Sequence, residues 1–85
     1  MDWKEIAYMD GKVENILAEV LQISITMVSD GLSMKDINTW DSLKHMELIV
    51  TLEQNFGIEF TFDDIVAMQS VREIKRVLRE RSNVS

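Results

Sequence analysis

Wound at 3.6 residues per turn, residues 42–56 place their apolar side chains in two groups, not one. Leu48, Ile49, Leu52 and Phe56 form one stripe, which is what a helix needs to pack into a core. Leu43, Met46 and Val50 form a second stripe, on the side that also carries Ser42. A small domain seldom buries both sides of one helix. The second stripe, bordered by Glu47 and Glu53, is therefore predicted to be a surface that meets partners. Ser42, at the mouth of that surface, is a candidate attachment site. The helix has Asp41 at its N-cap position and Gly57 at its end.

The rest of the chain reads around this helix. Val13, Ile16, Leu17, Val20 and Leu21 share one arc opposite Lys12, Asn15 and Glu19, which predicts an amphipathic helix over about 10–22 with Asp10 as its cap. Trp3, Ile6 and Met9 continue that stripe, but Gly11 interrupts it at a cost of about 1 kcal/mol relative to alanine. Residues 1–9 are accordingly read as a helical extension or a loose arm. Residues 23–40 are turn-rich and without sustained period, predicting a long loop pinned to the helices by Ile25, Val28, Leu32, Met34 and Ile37. Thr61-Phe62-Asp63-Asp64 is a capping box that opens a short helix to about Met68. Ser70-Val71-Arg72-Glu73 is a second, opening a last helix whose Val71, Ile74, Val77 and Leu78 face inward. Only residues 57–60 have strand composition, and they are too few to pair. The predicted fold class is all-α: a small bundle of three main helices plus one short helix, with a long structured first loop.

Length and charge narrow the function. Eighty-five residues make one domain, with no room for a cleft enzyme of ordinary size. Fifteen acids against nine bases make nucleic acid and anionic membrane poor partners and favour basic proteins. Residues 41–64 carry six acids and one base, whereas 65–85 carry two acids and five bases. Arg76, Arg79 and Arg81 are read as complementing the dipole of the last helix. Zero cysteines exclude disulfides and a nucleophilic thiol of the chain itself. No apolar run nears the roughly 18 residues of a membrane span. The acids in MDWKEIAYMD are unlike a signal peptide, so a soluble, cytoplasmic protein is expected.

Each candidate also has a plain reading. Ser42 could be an ordinary helix-start serine, since serine and aspartate are common there. His45, three residues on, invites a base for a serine nucleophile, but no orienting acid or glycine elbow accompanies it. It is predicted half-buried on the core-facing side. Met46 is given to partners, Met34 and Met68 to the core. Asp36, Asn38 and Asp41 lack the glycine and terminal glutamate of a calcium loop, so no metal is expected. The Asn83, Val84, Ser85 sequon is read as accidental.

Together, Asp41-Ser42-Leu43, Met46-Glu47-Leu48, Leu52-Glu53, Phe56-Gly57-Ile58-Glu59 and Val71 with Ile74 resemble the acyl carrier proteins and the related peptidyl carrier domains. The match spans about residues 10–78. The resemblance implies a carrier domain over 10–80, with 1–9 as an extension and 81–85 as a flexible tail. It implies 4′-phosphopantetheine attached at Ser42 beside Asp41, and a thiol that carries acyl or aminoacyl groups as thioesters. A phosphodiester there would meet free N–H groups and the helix dipole. The implied partners are a phosphopantetheinyl transferase, an acyl- or aminoacyl-loading enzyme, and downstream enzymes with basic patches that meet Leu43, Met46, Glu47, Val50 and Glu53. The carrier is expected to be a monomer and not itself an enzyme. Thr39-Trp40 and Lys44-His45 depart from the commonest fatty-acid pattern and look more like stand-alone carriers of specialised pathways. Lys44 weakens the acidic patch beside Ser42. The alternatives are a peptidyl or aminoacyl carrier, or an unmodified helical interaction module.

Overall fold

The computed structural model describes residues 2–82. They form four α-helices: α1, Trp3–Leu21; α2, Ser42–Phe56; α3, Phe62–Ala67; and α4, Val71–Ser82. Two short 3-10 turns, Ile25–Met27 and Met34–Asp36, lie in the α1–α2 loop. Helix α1 packs on both α2 and α4, and α3 packs on α4. The core between them is built from Val13, Leu17 and Leu21 of α1, Leu48, Ile49 and Leu52 of α2, and Val71, Ile74 and Leu78 of α4. The all-α reading holds, and the core stripe of α2 faces inward as its spacing requires.

Helix α1 starts earlier than its glycine suggested. Asp2 is the N-cap, its Oδ1 accepting the Glu5 N–H at 3.0 Å, so from Trp3 onward the extension is helical. Asp10, expected as the cap, instead lies inside the helix and accepts from Arg79 Nη2 at 2.6 Å. Burial of Met9 and an extra capped turn outweigh the single glycine. A Cβ at Gly11 would meet nothing within 4 Å. Gly11→Ala is therefore expected to stabilise the chain by about 0.5–1 kcal/mol, raising the melting temperature by about 3–6 °C in a thermal scan.

The long loop is stitched to the α3–α4 junction, which is why twenty residues without an α-helix of their own hold a fixed course. Met34 N–H donates to Gln69 O at 2.8 Å, Val71 N–H to Leu32 O at 2.9 Å, and Arg72 N–H to Asp30 O at 3.1 Å. Leu32 is buried, and Val28, Met34 and Ile37 pack on the core. Ile25, expected among these pins, is exposed. The loop also supplies Asp30 to Lys75 of α4 at 2.7 Å, while Glu14 of α1 binds the same ammonium at 2.8 Å. Burial pulls the Lys75 ammonium down, but the bonds to Asp30 and Glu14 outweigh it and hold it above the ordinary lysine value.

Thr61 and Asp64 complete the predicted capping box of α3. In the second box, Ser70 Oγ accepts the Glu73 N–H at 3.2 Å, whereas the Glu73 carboxylate turns to Arg76. Arg76 and Arg79 are paired and do not merely face the dipole of α4: Arg76 binds Glu73 and Glu80, and Arg79 binds Asp10. Arg81, expected in a frayed tail, is held by Asp64 through Nε at 2.8 Å and Nη2 at 2.7 Å. Asn83, Val84 and Ser85 lie outside the described residues.

The Arg81 guanidinium, against some loss of solvation, holds the Asp64 carboxyl at about 2, below its ordinary 3.8. A carboxyl depressed by folding stabilises the fold fully above its unfolded value and loses that contribution as pH falls from about 4 toward 2. Asp64→Asn should therefore reduce stability at pH 7 and flatten the fall between pH 5 and pH 2. Urea midpoints at several pH values, wild type against variant, check this. Asp30, which Lys75 depresses in the same way, titrates in both proteins and cancels in the difference.

Candidate functional site

The N-terminus of α2 is fixed by Asp41. Its backbone is extended, its Oδ1 accepts the Lys44 N–H at 2.9 Å, and its carbonyl accepts the His45 N–H at 2.8 Å. The amides of Ser42 and Leu43 make no hydrogen bond among the described residues, leaving two donors at the open end of the helix. Ser42 occupies the first helical position and its side chain is exposed.

The second stripe of α2 stands in solvent. Leu43 is 78 % exposed, Met46 48 % and Val50 46 %. Lys44 Nζ reaches Glu47 Oε2 at 3.1 Å, so one of the two bordering acids is paired beside the serine. The other, Glu53, is half-buried and its Oε2 accepts the Phe60 N–H at 3.0 Å. Glu53 thus fastens the α2–α3 connection through one carboxylate oxygen. Two further apolar side chains, Phe62 and Val66 of α3, are exposed at 78 % and 50 %. Sequence reading passed over them, although their four-residue spacing puts both on one face of α3.

Beneath Ser42 lies a pair the sequence showed only in part. Trp40 is 2 % exposed, and its Nε1–H donates to His45 Nδ1 at 3.1 Å. An indole nitrogen can only donate, so His45 Nδ1 carries no proton; the proton is on Nε2, which donates to Ile65 O at 3.0 Å. The ring therefore bridges the residue before the α2 cap to α3. With Asp41 as N-cap, Trp40 and His45 hold the N′ and N4 positions of a helix staple, the one local signal that relates them. Both ring nitrogens are engaged, so His45 has no lone pair to offer Ser42 Oγ, and the base reading is excluded in this arrangement. His45 is buried more deeply than expected.

An open groove of about 520 Å³ runs beside the serine, between the loop turn at Met34 and the α3–α4 junction. Trp40, Asp41 and Ser42 line it together with Ala67, Gln69, Ser70 and Glu73.

A small helical domain that presents an exposed serine on a capped helix, next to an apolar stripe and an open groove, has the form of a carrier, and sequence comparison bears this out. The chain belongs to the phosphopantetheine attachment site family, whose model matches residues 11–78. It is 33 % identical over 76 residues to an acyl carrier protein of Chlamydia trachomatis serovar D, covering 88 % of this chain and 97 % of that one. An acyl carrier protein of Desulforapulum autotrophicum is 35 % identical over 75 residues, with 87 % and 97 % covered. One of Buchnera aphidicola is 28 % identical over 64 residues, covering 75 % and 81 %. The family's prosthetic group is phosphopantetheine. The end of α2 fits a phosphodiester: two amide donors are open, the positive end of the helix dipole points there, and Lys35 lines the adjoining groove. Among the described residues, no helix is long and apolar enough to cross a membrane.

Proposed function

We propose that Ser42 is the attachment point and that the chain carries acyl groups, as thioesters, between enzymes that load and process them. The observation that carries this is the exposed Ser42 at the first position of α2, inside the matched segment 11–78. When bound, phosphopantetheine supplies the thiol that a chain without cysteine lacks. Ser42 Oγ supplies the oxygen of the new P–O bond. Its proton passes to a base of the transferase, and 3′,5′-ADP leaves from coenzyme A. Asp41 holds the helix end, and the amides of Ser42 and Leu43 would be the donors open to a phosphodiester there.

Leu43, Met46 and Val50 form the apolar centre of the partner surface, with Glu47 as its charged border. A modest apolar patch with charge at its rim favours quick encounter and quick release, which suits a protein handed from enzyme to enzyme. The chain performs no chemistry of its own in this reading, because His45, three residues on from Ser42, is occupied on both sides. We place it in the cytoplasm, as a monomer.

Intact mass after incubation with a broad-specificity phosphopantetheinyl transferase and coenzyme A tests the reading. The expected result is one phosphopantetheine per chain. No gain, with a folded chain and an active transferase, overturns it and leaves a helical interaction module. Leu43→Arg is expected to lower the transferase kcat/KM about tenfold by removing one apolar contact and adding a charge. Leu43→Met should change it little, and initial rates of mass gain distinguish the two.

A further inference from the structure

The cargo of a carrier either lies among the helices or stays outside them, and the residues beneath Ser42 bear on which. Trp40 belongs both to the wall of the groove and to the buried core, so it forms the partition between them. It is held in place at its polar edge by His45, which is itself tied to the Ile65 carbonyl of α3. A path from Ser42 inward past this partition must therefore displace an indole and break two hydrogen bonds, one of them buried. The groove on the other side of the partition is open and mixed in character. Met34, Trp40 and Ala67 give its lining apolar groups, and Gln69, Ser70 and Glu73 give it amide, hydroxyl and carboxylate groups.

We propose that Trp40, pinned by His45, closes the way from Ser42 into the helix bundle, so that the thioester-bound group stays in the outer groove. The inference rests on Ser42 being the attachment point. Trp40 acts as a positioning residue in this scheme, through the space it occupies.

The experiment loads the full chain with a 13C-labelled octanoyl or 2-hydroxypropanoyl group, using the transferase and the corresponding acyl-coenzyme A. Loading is verified by intact mass, and contacts are read by isotope-filtered NOE spectra and chemical shifts. Both groups are expected to move the amide signals of Met34, Gln69 and Ser70 and to leave the methyl signals of Leu48, Leu52 and Ile74 in place. Octanoyl contacts to those three methyls in the wild type overturn the proposal, as does a cargo that touches neither the groove nor the core. In Trp40→Leu, or Trp40→Phe should the leucine protein not fold, octanoyl is expected to reach Leu52 and Ile74. A folded variant that still keeps it outside shows that Trp40 is not the barrier. A chain that takes up no group at all defeats the attachment reading as well, whereas a loaded chain with octanoyl in its core defeats this inference alone.

Discussion

Ser42→Ala is expected to abolish phosphopantetheine attachment completely while leaving the melting temperature within about 3 °C of wild type. The two halves of that expectation come from the same geometry. The cap of α2 is the carboxylate of Asp41, which binds the Lys44 amide, and Ser42 Oγ makes no hydrogen bond among the described residues. Its removal therefore leaves no buried polar group without a partner and no cavity. Intact mass reports the first half and circular dichroism with a thermal scan the second. Asp41→Ala is the complementary variant: the serine is retained, but loss of the cap costs about 1 kcal/mol. A Ser42→Ala chain that still gained the arm would move the attachment point to another hydroxyl, and a strongly destabilised one would mean that Ser42 is structural.

Trp40→Ala is expected to destabilise the fold by about 3–5 kcal/mol, a large part of the roughly 5–15 kcal/mol typical of such a domain. The indole is almost wholly enclosed, so its loss removes a large apolar surface and leaves a cavity between the loop and α2. It also leaves His45 Nδ1 without its donor in a buried setting. Trp40→Phe keeps most of the ring and should cost less than half as much, the remainder being the lost hydrogen bond and the missing ring volume. Urea unfolding at pH 7 measures both, with an unchanged m-value showing that the difference lies in stability and not in a looser native state. A loss below about 1 kcal/mol for the alanine variant would show that the surrounding side chains collapse into the space and that Trp40 is replaceable.

Much of this architecture was legible because helix period is a strong signal when one residue in three or four must be buried. The two stripes of α2 separated cleanly: Leu48, Ile49 and Leu52 are enclosed, while Leu43, Met46 and Val50 stand out. Caps at Asp41, Gly57 and Thr61 sit where their residue types require. The family was legible too, since the pattern around Ser42 extends over most of the chain. What escaped reading were contacts that sequence spacing does not encode. Gly11 suggested a break, but the outcome depended on Met9 finding a place in the core and Asp2 capping Glu5. Glu53 looked like a surface acid because its acceptor role for Phe60 depends on how the chain turns after Gly57. Trp40 and His45 looked like separate departures from the common pattern. Their union needs the indole to fold back over the first turn of α2, and the Ile65 carbonyl that completes it lies twenty residues further along.

Lys75 meets Glu14 and Asp30, which lie 61 and 45 positions away along the chain. Contacts of such span require α1, the loop and α4 to be nearly assembled before they can close, because each long closure costs chain entropy in advance of its reward. They consequently add little to the speed of folding and weigh mainly on the rate of opening. Durability is thereby placed in the time a native chain survives before it opens, a quantity set by three charged side chains drawn from α1, the loop and α4.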